Sequence, residues 1–433
     1  MPLPQQLAIQ PFSYPASGSI RPPGSKSITN RALVCAALAE GASTLTNALD
    51  SQDTRVMIDA LRKLGISLEV DHEHHTIIVN GCSGTIPAKA AELFIGNSGT
   101  TVRFLTAMLA LGNGSFTLDG TPRMRERPIQ DLLDSLTQLG VQAESATGTG
   151  CPPVLIHAQG LAGGVANVRG DVSSQFLSGL LLAAPYAQSP LKILIEGELV
   201  SKPYVQMTLS VMRDFGIPIP QSDLTQFNID APHHYRGTRF AIEPDASAAS
   251  YFWGAAAITR GTVTVEGLNR DSLQGDVAFC DCLEKMGCEV RYDDAGTTVI
   301  GRPLHGIDVD MNAISDTVQT LGAVALFADG PTTIRGVAHI RHKETDRIGA
   351  LATELRKLGA SVEVWDDGLR ITPGIRKAAT IDTYDDHRMA MSLALVGLVQ
   401  SGVVINDPDC TAKTYPDYFR DLEKLRGERS PAK

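Results

Sequence analysis

A glycine closing a short leucine-rich helical stretch recurs six times along the chain, at Gly65, Gly140, Gly216, Gly287, Gly359 and, more weakly, Gly427, at intervals of 68 to 76 residues. A second landmark keeps step with it. Polar clusters opening runs of apolar and small residues start at Lys26, Asn97, Ser173, Asp245, Asp316 and Asp386, spaced 70 to 76 residues apart. Two landmarks in one phase imply a supersecondary unit used six times. At 433 residues the chain exceeds the size at which one hydrophobic core stops growing. Two domains of three repeats each is the simplest division.

Within a repeat the opening run, as in SKSITNRALVCAALA or NSGTTVRFLTAMLAL, is apolar nearly all round and is expected to form a buried helix. A glycine-initiated strand and a charged turn follow, then an amphipathic helix such as DRIGALATELRKLG, whose apolar residues fall at three and four spacings before a glycine suited to a left-handed cap. Short alternating strands such as ASVEVWDDGLRITP complete the unit. Each repeat thus reads helix, strand, helix, strand pair, with sheets wrapped around the first set of helices. The first three repeats end near Asp230 and the fourth starts near Phe240, so APHHYRGTRF is the expected crossover. A second is expected at RPPGS, where Pro22 and Pro23 stiffen the chain. The expected domains are residues 23–242 and residues 1–22 with 243–433, the N-terminal strand belonging to the C-terminal half.

Composition narrows the class of protein. With 43% hydrophobic and 20% charged residues the chain reads as an ordinary globular protein. The N-terminus lacks a signal-like apolar region and no apolar run is long enough to span a bilayer, so a cytoplasmic enzyme is expected. A net charge of −10 argues against nucleic-acid or membrane partners. Seven cysteines without a CxxC pair fit free thiols in a reducing compartment, and no metal is expected. His72, His74 and His75 in DHEHH read as a solvated hairpin, because strand alternation would split them between faces.

Helix N-termini present unpaired N–H groups and partial positive charge, and so make ready anion sites. Several ends here also carry cations: Lys26, Ser27 and Arg31 in the first repeat, Gly96, Asn97, Gly99 and Arg103 in the second. The third offers neutral donors, Ser173, Ser174 and Gln175. The turns add Arg123, Arg125 and Arg127, then Lys343, Glu344, Asp346 and Arg347, and Lys413. Asp316 and the set Asp386, His387 and Arg388 open two later helices. Cations beside carboxylates at corresponding points of different repeats, in an acidic protein, outweigh the bland reading of each as a solvated loop.

These strings resemble the 5-enolpyruvylshikimate-3-phosphate synthase family along nearly the whole chain, through PGSKSITNRAL, GNSGTTVRFL, DGTPRMRERPI, DVSSQFLSGLL, EGELVSKPYV, DASAASYF, HKETDRI, YDDHRMAM and CTAKTYPDYF in order. The resemblance implies an α/β (α+β) fold of two similar domains, each of three βαβαββ units in an inside-out arrangement, with the active site in the cleft between them. It implies transfer of the enolpyruvyl group of phosphoenolpyruvate to the 5-hydroxyl of shikimate 3-phosphate, releasing phosphate through a tetrahedral intermediate, with no cofactor and a monomeric state. Shikimate 3-phosphate is then expected on Lys26, Ser27, Arg31, Ser173, Ser174, Gln175, Ser201, Tyr204, Asp316, His339 and Lys343. Phosphoenolpyruvate is expected on Lys26, Asn97, Gly99, Arg127, Gln175, Arg347, Arg388 and Lys413. Glu344 is the candidate for proton exchange at C3, Asp316 the candidate base for the 5-hydroxyl, and Lys26 and Lys413 stabilise the departing phosphate. Ligand contributions from both halves imply that shikimate 3-phosphate draws the domains together.

Two positions depart from the commonest family pattern. His339 stands where many members carry Asn, and its charge is expected to vary with pH. Phe104 follows Arg103 where several members have Pro. The related transferase acting on UDP-N-acetylglucosamine shares fold and reaction type but uses a cysteine in its second repeat, where LGNGSFTLDGTPRMRERP has none. A six-unit DNA clamp would need a basic inner surface that this chain lacks.

Overall fold

The computed structural model describes residues 3–220 and 223–427. The chain separates into two compact units, Gly24–Glu243 and the segment through Pro23 together with the chain from Pro244. The first contains α1 (Lys26–Leu38), α2 (Gln52–Lys63), α3 (Gly99–Leu109), α4 (Gln130–Gln138), α5 (Ser174–Ala183) and α6 (Lys202–Asp214). The second contains α7 (Ala246–Thr259), α8 (Phe279–Lys285), α9 (Val318–Ala325), α10 (Arg347–Lys357), α11 (His387–Gly397) and α12 (Tyr418–Glu423).

The odd-numbered helices form the interior of each unit. Every residue of α3, α9 and α11 is buried, as the all-round apolar pattern demands. The even-numbered helices bury one stripe: in α2 it is Asp53, Thr54, Met57, Ile58, Ala60 and Leu61, at three and four spacings. Close packing of the inner helices relies on small and hydroxyl side chains. A Cβ added at Gly179 would lie 2.8 Å from the Arg103 carbonyl oxygen, so α5 meets the α3 backbone there directly. Among α7, α9 and α11 the hydroxyls of Ser250, Thr320 and Ser392 link in series at 2.9 and 3.2 Å, which satisfies polar groups that burial would otherwise penalise.

The inner helices α3, α5, α9 and α11 each connect two parallel strands, and in the first, second, fourth and fifth repeats an antiparallel pair completes the sheet. Ala90–Phe94 pairs in parallel with Asn113–Asp119 across α3; that strand pairs antiparallel with Val154–Gln159, which carries Gln142–Ser145 at its far edge. Where a repeat opens a unit, its first strand comes from elsewhere in the chain. Arg239–Ala241 runs parallel to Ala42–Thr46, and Ser17–Ile20 runs parallel to Thr262–Glu266. Gln6–Ala8 adds antiparallel to Val403–Asn406 at the last repeat. The N-terminal strands therefore sit among the C-terminal repeats.

Three details differ from the sequence reading. Phe240 belongs to the strand that completes the sheet of the first repeat and does not start the fourth. The third repeat has one described strand, Gln226–Ile229, after α6 where the second has a pair. Gly65, Gly140, Gly216, Gly287 and Gly359 all take left-handed φ between +83° and +112°, but Gly427 is absent from that conformation because α12 ends earlier, at Glu423. The weak sixth landmark is therefore no cap. His72 and His74 lie in the exposed turn between Ser67–Asp71 and Thr76–Asn80 and pair with Asp50 and Asp71 at 2.7 and 2.8 Å. All seven cysteines are free.

Candidate active site

In the unit of residues 24–243 the expected residues collect at the starts of α1, α3, α5 and α6. Ser25 caps α1, accepting from the Ile28 N–H, and Lys26 follows with its Nζ 3.4 Å from Asp53 Oδ2. Arg31, one turn on, is buried completely. Its Nε donates to Thr208 Oγ1 at 2.7 Å, its Nη1 to the Ser27 carbonyl at 2.8 Å, and its Nη2 to the Tyr204 carbonyl at 3.1 Å. Its guanidinium carbon lies 5.1 Å from the centre of the Phe104 ring. Burial pushes its pKa down to about 10. Arg31 thus fixes the backbone of two expected ligand positions, Ser27 and Tyr204.

At the start of α3, Arg127 Nη1 donates to both the carbonyl and Oδ1 of Asn97, at 2.9 and 3.1 Å. Gly99 lies beneath two guanidiniums: a Cβ there would collide with Arg127 Nη2 and come within 2.7 Å of Arg103 Nη1. Arg103 Nη1 also donates to Gln175 Oε1 at 3.0 Å, and its Nη2 to the Pro128 carbonyl at 2.9 Å. Ser173 caps α5 by accepting from the Gln175 N–H, and Ser174 is buried behind it. Ser201, at the cap of α6, is buried with a left-handed φ of +53°, a conformation uncommon outside glycine. The turn residues Arg123 and Arg125 point elsewhere, pairing with Glu126 and Asp119 at the surface.

In the other unit the expected residues form one ion network. Arg347, the first residue of α10 and almost wholly buried, sits at its centre. Its Nε and Nη2 reach Asp386 Oδ2 and Oδ1 at 2.7 and 3.2 Å, Nη2 also reaches Glu344 Oε2 at 2.8 Å, and Nη1 reaches Asp316 Oδ1 at 3.1 Å. Asp316 further receives Arg388 Nη2 at 2.8 Å and stands 3.5 Å from Lys343 Nζ. Lys413 Nζ stands 3.5 Å from Glu344 Oε1. Burial opposes the Arg347 charge, but Asp386, Glu344 and Asp316 together outweigh it and raise its pKa above the usual value. Burial depresses the Lys343 pKa, with Asp316 opposing the shift. Four cations, Lys343, Arg347, Arg388 and Lys413, thus stand among the carboxylates of Asp316, Glu344 and Asp386, with Asp385 near enough to interact with Lys413. Such a buried cluster is suited to a small polyanion bearing carboxylate and phosphate.

His339 corrects an expectation. It is buried with Nε2 2.9 Å from Ser315 Oγ, and burial followed by the nearby Lys343 pushes its pKa down to about 3. It is therefore neutral across the working range, and its charge does not vary with pH there. An unfolded histidine titrates near 6.5, so between about pH 6.5 and 3 the unfolded chain binds the extra proton and stability falls as pH falls. His339→Asn is expected to remove this contribution: the stability difference between variant and parent, measured by urea unfolding, should shift in favour of the variant from pH 7 to pH 5, with no change in the neutral limb of the activity profile.

Sequence reasoning gave no role to Asp53 or Ser315, and it named Arg103 and Asp386 as charged residues at helix starts without their partners. Asp386 was visible as a helix start, since its side chain accepts from the Arg388 N–H as a cap. Its pairing with Arg347 spans 39 residues and leaves no local signature.

The comparisons agree with this geometry. The family model for EPSP synthase (3-phosphoshikimate 1-carboxyvinyltransferase) matches residues 13–422. A 3-phosphoshikimate 1-carboxyvinyltransferase of Trichormus variabilis is 50% identical over 423 residues, covering 98% of this chain and 99% of that protein. The chloroplastic protein of the same name from Arabidopsis thaliana is 49% identical, covering 97% of this chain and 84% of that one. Among solved structures, an EPSP synthase from Acinetobacter baumannii superposes with a TM-score of 0.81 at 26% identity, covering 97% of this chain and 98% of that one. On the family match and these relatives, with which the repeat architecture accords, the chain belongs to the EPSP synthase (3-phosphoshikimate 1-carboxyvinyltransferase) family.

Proposed function

We propose that this protein transfers the enolpyruvyl group of phosphoenolpyruvate to the 5-hydroxyl of shikimate 3-phosphate and releases phosphate. The observation that carries the reading is the buried network in which Glu344 and Lys413 flank an arginine held by three carboxylates. Phosphoenolpyruvate is taken by Lys26, Asn97, Gly99, Arg127, Gln175, Arg347, Arg388 and Lys413. Shikimate 3-phosphate is taken by Lys26, Ser27, Arg31, Ser173, Ser174, Gln175, Ser201 and Tyr204, with Asp316, His339 and Lys343 toward its ring. Arg31 has four of its five N–H groups engaged within the protein, so it works chiefly by holding Ser27 and Tyr204.

The reaction needs one proton delivered to C3 of phosphoenolpyruvate as the 5-oxygen bonds to C2, then one proton taken from the resulting methyl group as the C2–O bond to phosphate breaks. Glu344 gives the first and takes the second, because a carboxyl group set between Arg347 and Lys413 can serve in either state. Asp316 receives the proton of the 5-hydroxyl. Lys26 and Lys413 offset charge on the departing phosphate, and no cofactor takes part. We propose a cytoplasmic, monomeric enzyme; among the described residues no helix is long and apolar enough to cross a membrane.

Purified protein given phosphoenolpyruvate is expected to release inorganic phosphate only when shikimate 3-phosphate is added, and to release none with UDP-N-acetylglucosamine as acceptor. Phosphate release with the sugar nucleotide alone would overturn the proposed acceptor.

A further inference from the structure

Outer helix α10 buries an apolar stripe that includes Ile348, Leu351 and Leu355, yet Glu354 lies on the same side with its side chain fully buried. Buried carboxylates are rare unless paired, and apart from Lys357 on its own helix the partners of this one come from a single segment, residues 382–384. Glu354 Oε1 accepts from the Tyr384 hydroxyl at 2.7 Å. Its Oε2 accepts from the Asp382 backbone N–H at 3.1 Å and from Lys357 Nζ at 2.9 Å. Lys357 Nζ in turn reaches Asp382 Oδ2 at 2.7 Å, and Asn406 Nδ2 donates to Asp382 Oδ1 at 2.7 Å.

The segment gripped in this way is strained. Tyr384 and Asp385 are consecutive non-glycine residues with φ of +56° and +53°, a pairing that persists only where the surroundings impose it. Immediately after it come Asp386, which accepts two hydrogen bonds from Arg347, and Arg388, which reaches Asp316. Helix α10 therefore holds the turn at two points seven residues apart, Glu354 at residues 382 and 384 and Arg347 at residue 386.

We infer that Glu354 is a positioning residue for the anion-binding arginines: through Tyr384 and the Asp382 N–H it holds the strained turn from which Asp386 orients Arg347 and caps the helix that carries Arg388. The inference rests on reading this cluster as the phosphoenolpyruvate site. Glu354 touches neither substrate. Its contribution is the affinity of the cluster for the anion.

The test uses the full chain with Glu354→Gln, Tyr384→Phe and their double variant, and Leu355→Ala as a control that destabilises the same helix without touching the turn. Because Tyr384 is 40% exposed, its variant keeps the inference testable if Glu354→Gln folds poorly. Loss of one charge-assisted hydrogen bond predicts a KM for phosphoenolpyruvate raised about tenfold, with kcat within about threefold. Because the two variants share the Tyr384–Glu354 contact, their effects on KM should combine to less than their sum in the double variant. Amide exchange in the segment 383–388 should accelerate in both single variants and stay at the parent rate in the control. Unchanged exchange there in both variants, or an equal rise of KM in Leu355→Ala, would overturn the inference. If the parent protein releases no phosphate, the proposed reaction fails, while the exchange rates still decide whether Glu354 holds the turn.

Discussion

Glu344→Gln is expected to lower kcat by roughly a hundredfold or more, as removal of a group that moves protons in the transition state does, while the protein binds both substrates nearly as before. The amide keeps the shape of the carboxyl group and can still meet Arg347 through its oxygen, so the arginine retains its contacts to Asp386 and Asp316. What is lost is the ability to hand a proton to C3 and take it back. The sharpest measurement is incorporation of solvent deuterium into the methylene carbon of phosphoenolpyruvate during turnover. Incorporation should fall with kcat, and a variant that retains near-parental turnover would remove Glu344 from the proton path.

Arg347→Met should do more damage and to two properties at once. It leaves Asp386, Glu344 and Asp316 facing one another with their common partner gone, and breaking a buried ion network by removing one member costs about 3–5 kcal/mol. The unit containing residue 347 should therefore unfold at lower urea concentration than in the parent, with circular dichroism at mild urea as the readout. Arg347→Lys separates charge from geometry. A lysine restores positive charge but cannot span both oxygens of Asp386 and still reach Glu344 and Asp316. Stability should recover in large part, while kcat/KM for phosphoenolpyruvate should stay down about a thousandfold, the equivalent of losing about two charged hydrogen bonds. Parental kcat/KM in the lysine variant would show that the site needs only charge at this position.

The architecture was legible because its determinants are local and repeated. Inner helices declare themselves by all-round apolar composition, outer helices by a stripe, and the caps by glycines whose left-handed φ the structure displays at five of the landmarks. Reading failed where pairing is remote. Phe240 lies in a sequence that looks like the opening of a repeat, yet its strand pairs with Ala42–Thr46 nearly two hundred residues earlier, and nothing within the segment specifies that partner. The same holds for the site. Motifs containing Lys26, Gly99, Arg127, Glu344 and Arg347 are dense in chemistry and stand out. Asp53 looks like any acidic residue in the first turn of an amphipathic helix, and only the fold places it 3.4 Å from Lys26. His339 failed for a different reason: its titration depends on burial beside Lys343, which no spacing encodes.

The borrowed strands have a bearing on how the molecule comes into being at the ribosome. All strands and helices of the Gly24–Glu243 unit lie in one uninterrupted segment, so it can complete its sheets while the remaining polypeptide is still unmade. The other unit has no such freedom. Ser17–Ile20 must wait for Thr262–Glu266, and Gln6–Ala8 for Val403–Asn406, the last of the described strands in chain order. These two strands thus find their places only after later repeats have been made, and until then they are unpaired edges. Chains released early would carry those edges permanently, templates for pairing with other molecules. Ordering of these strands therefore reports how far synthesis has gone: Ser17–Ile20 can pair once residue 266 has been made, and Gln6–Ala8 only once residue 406 has.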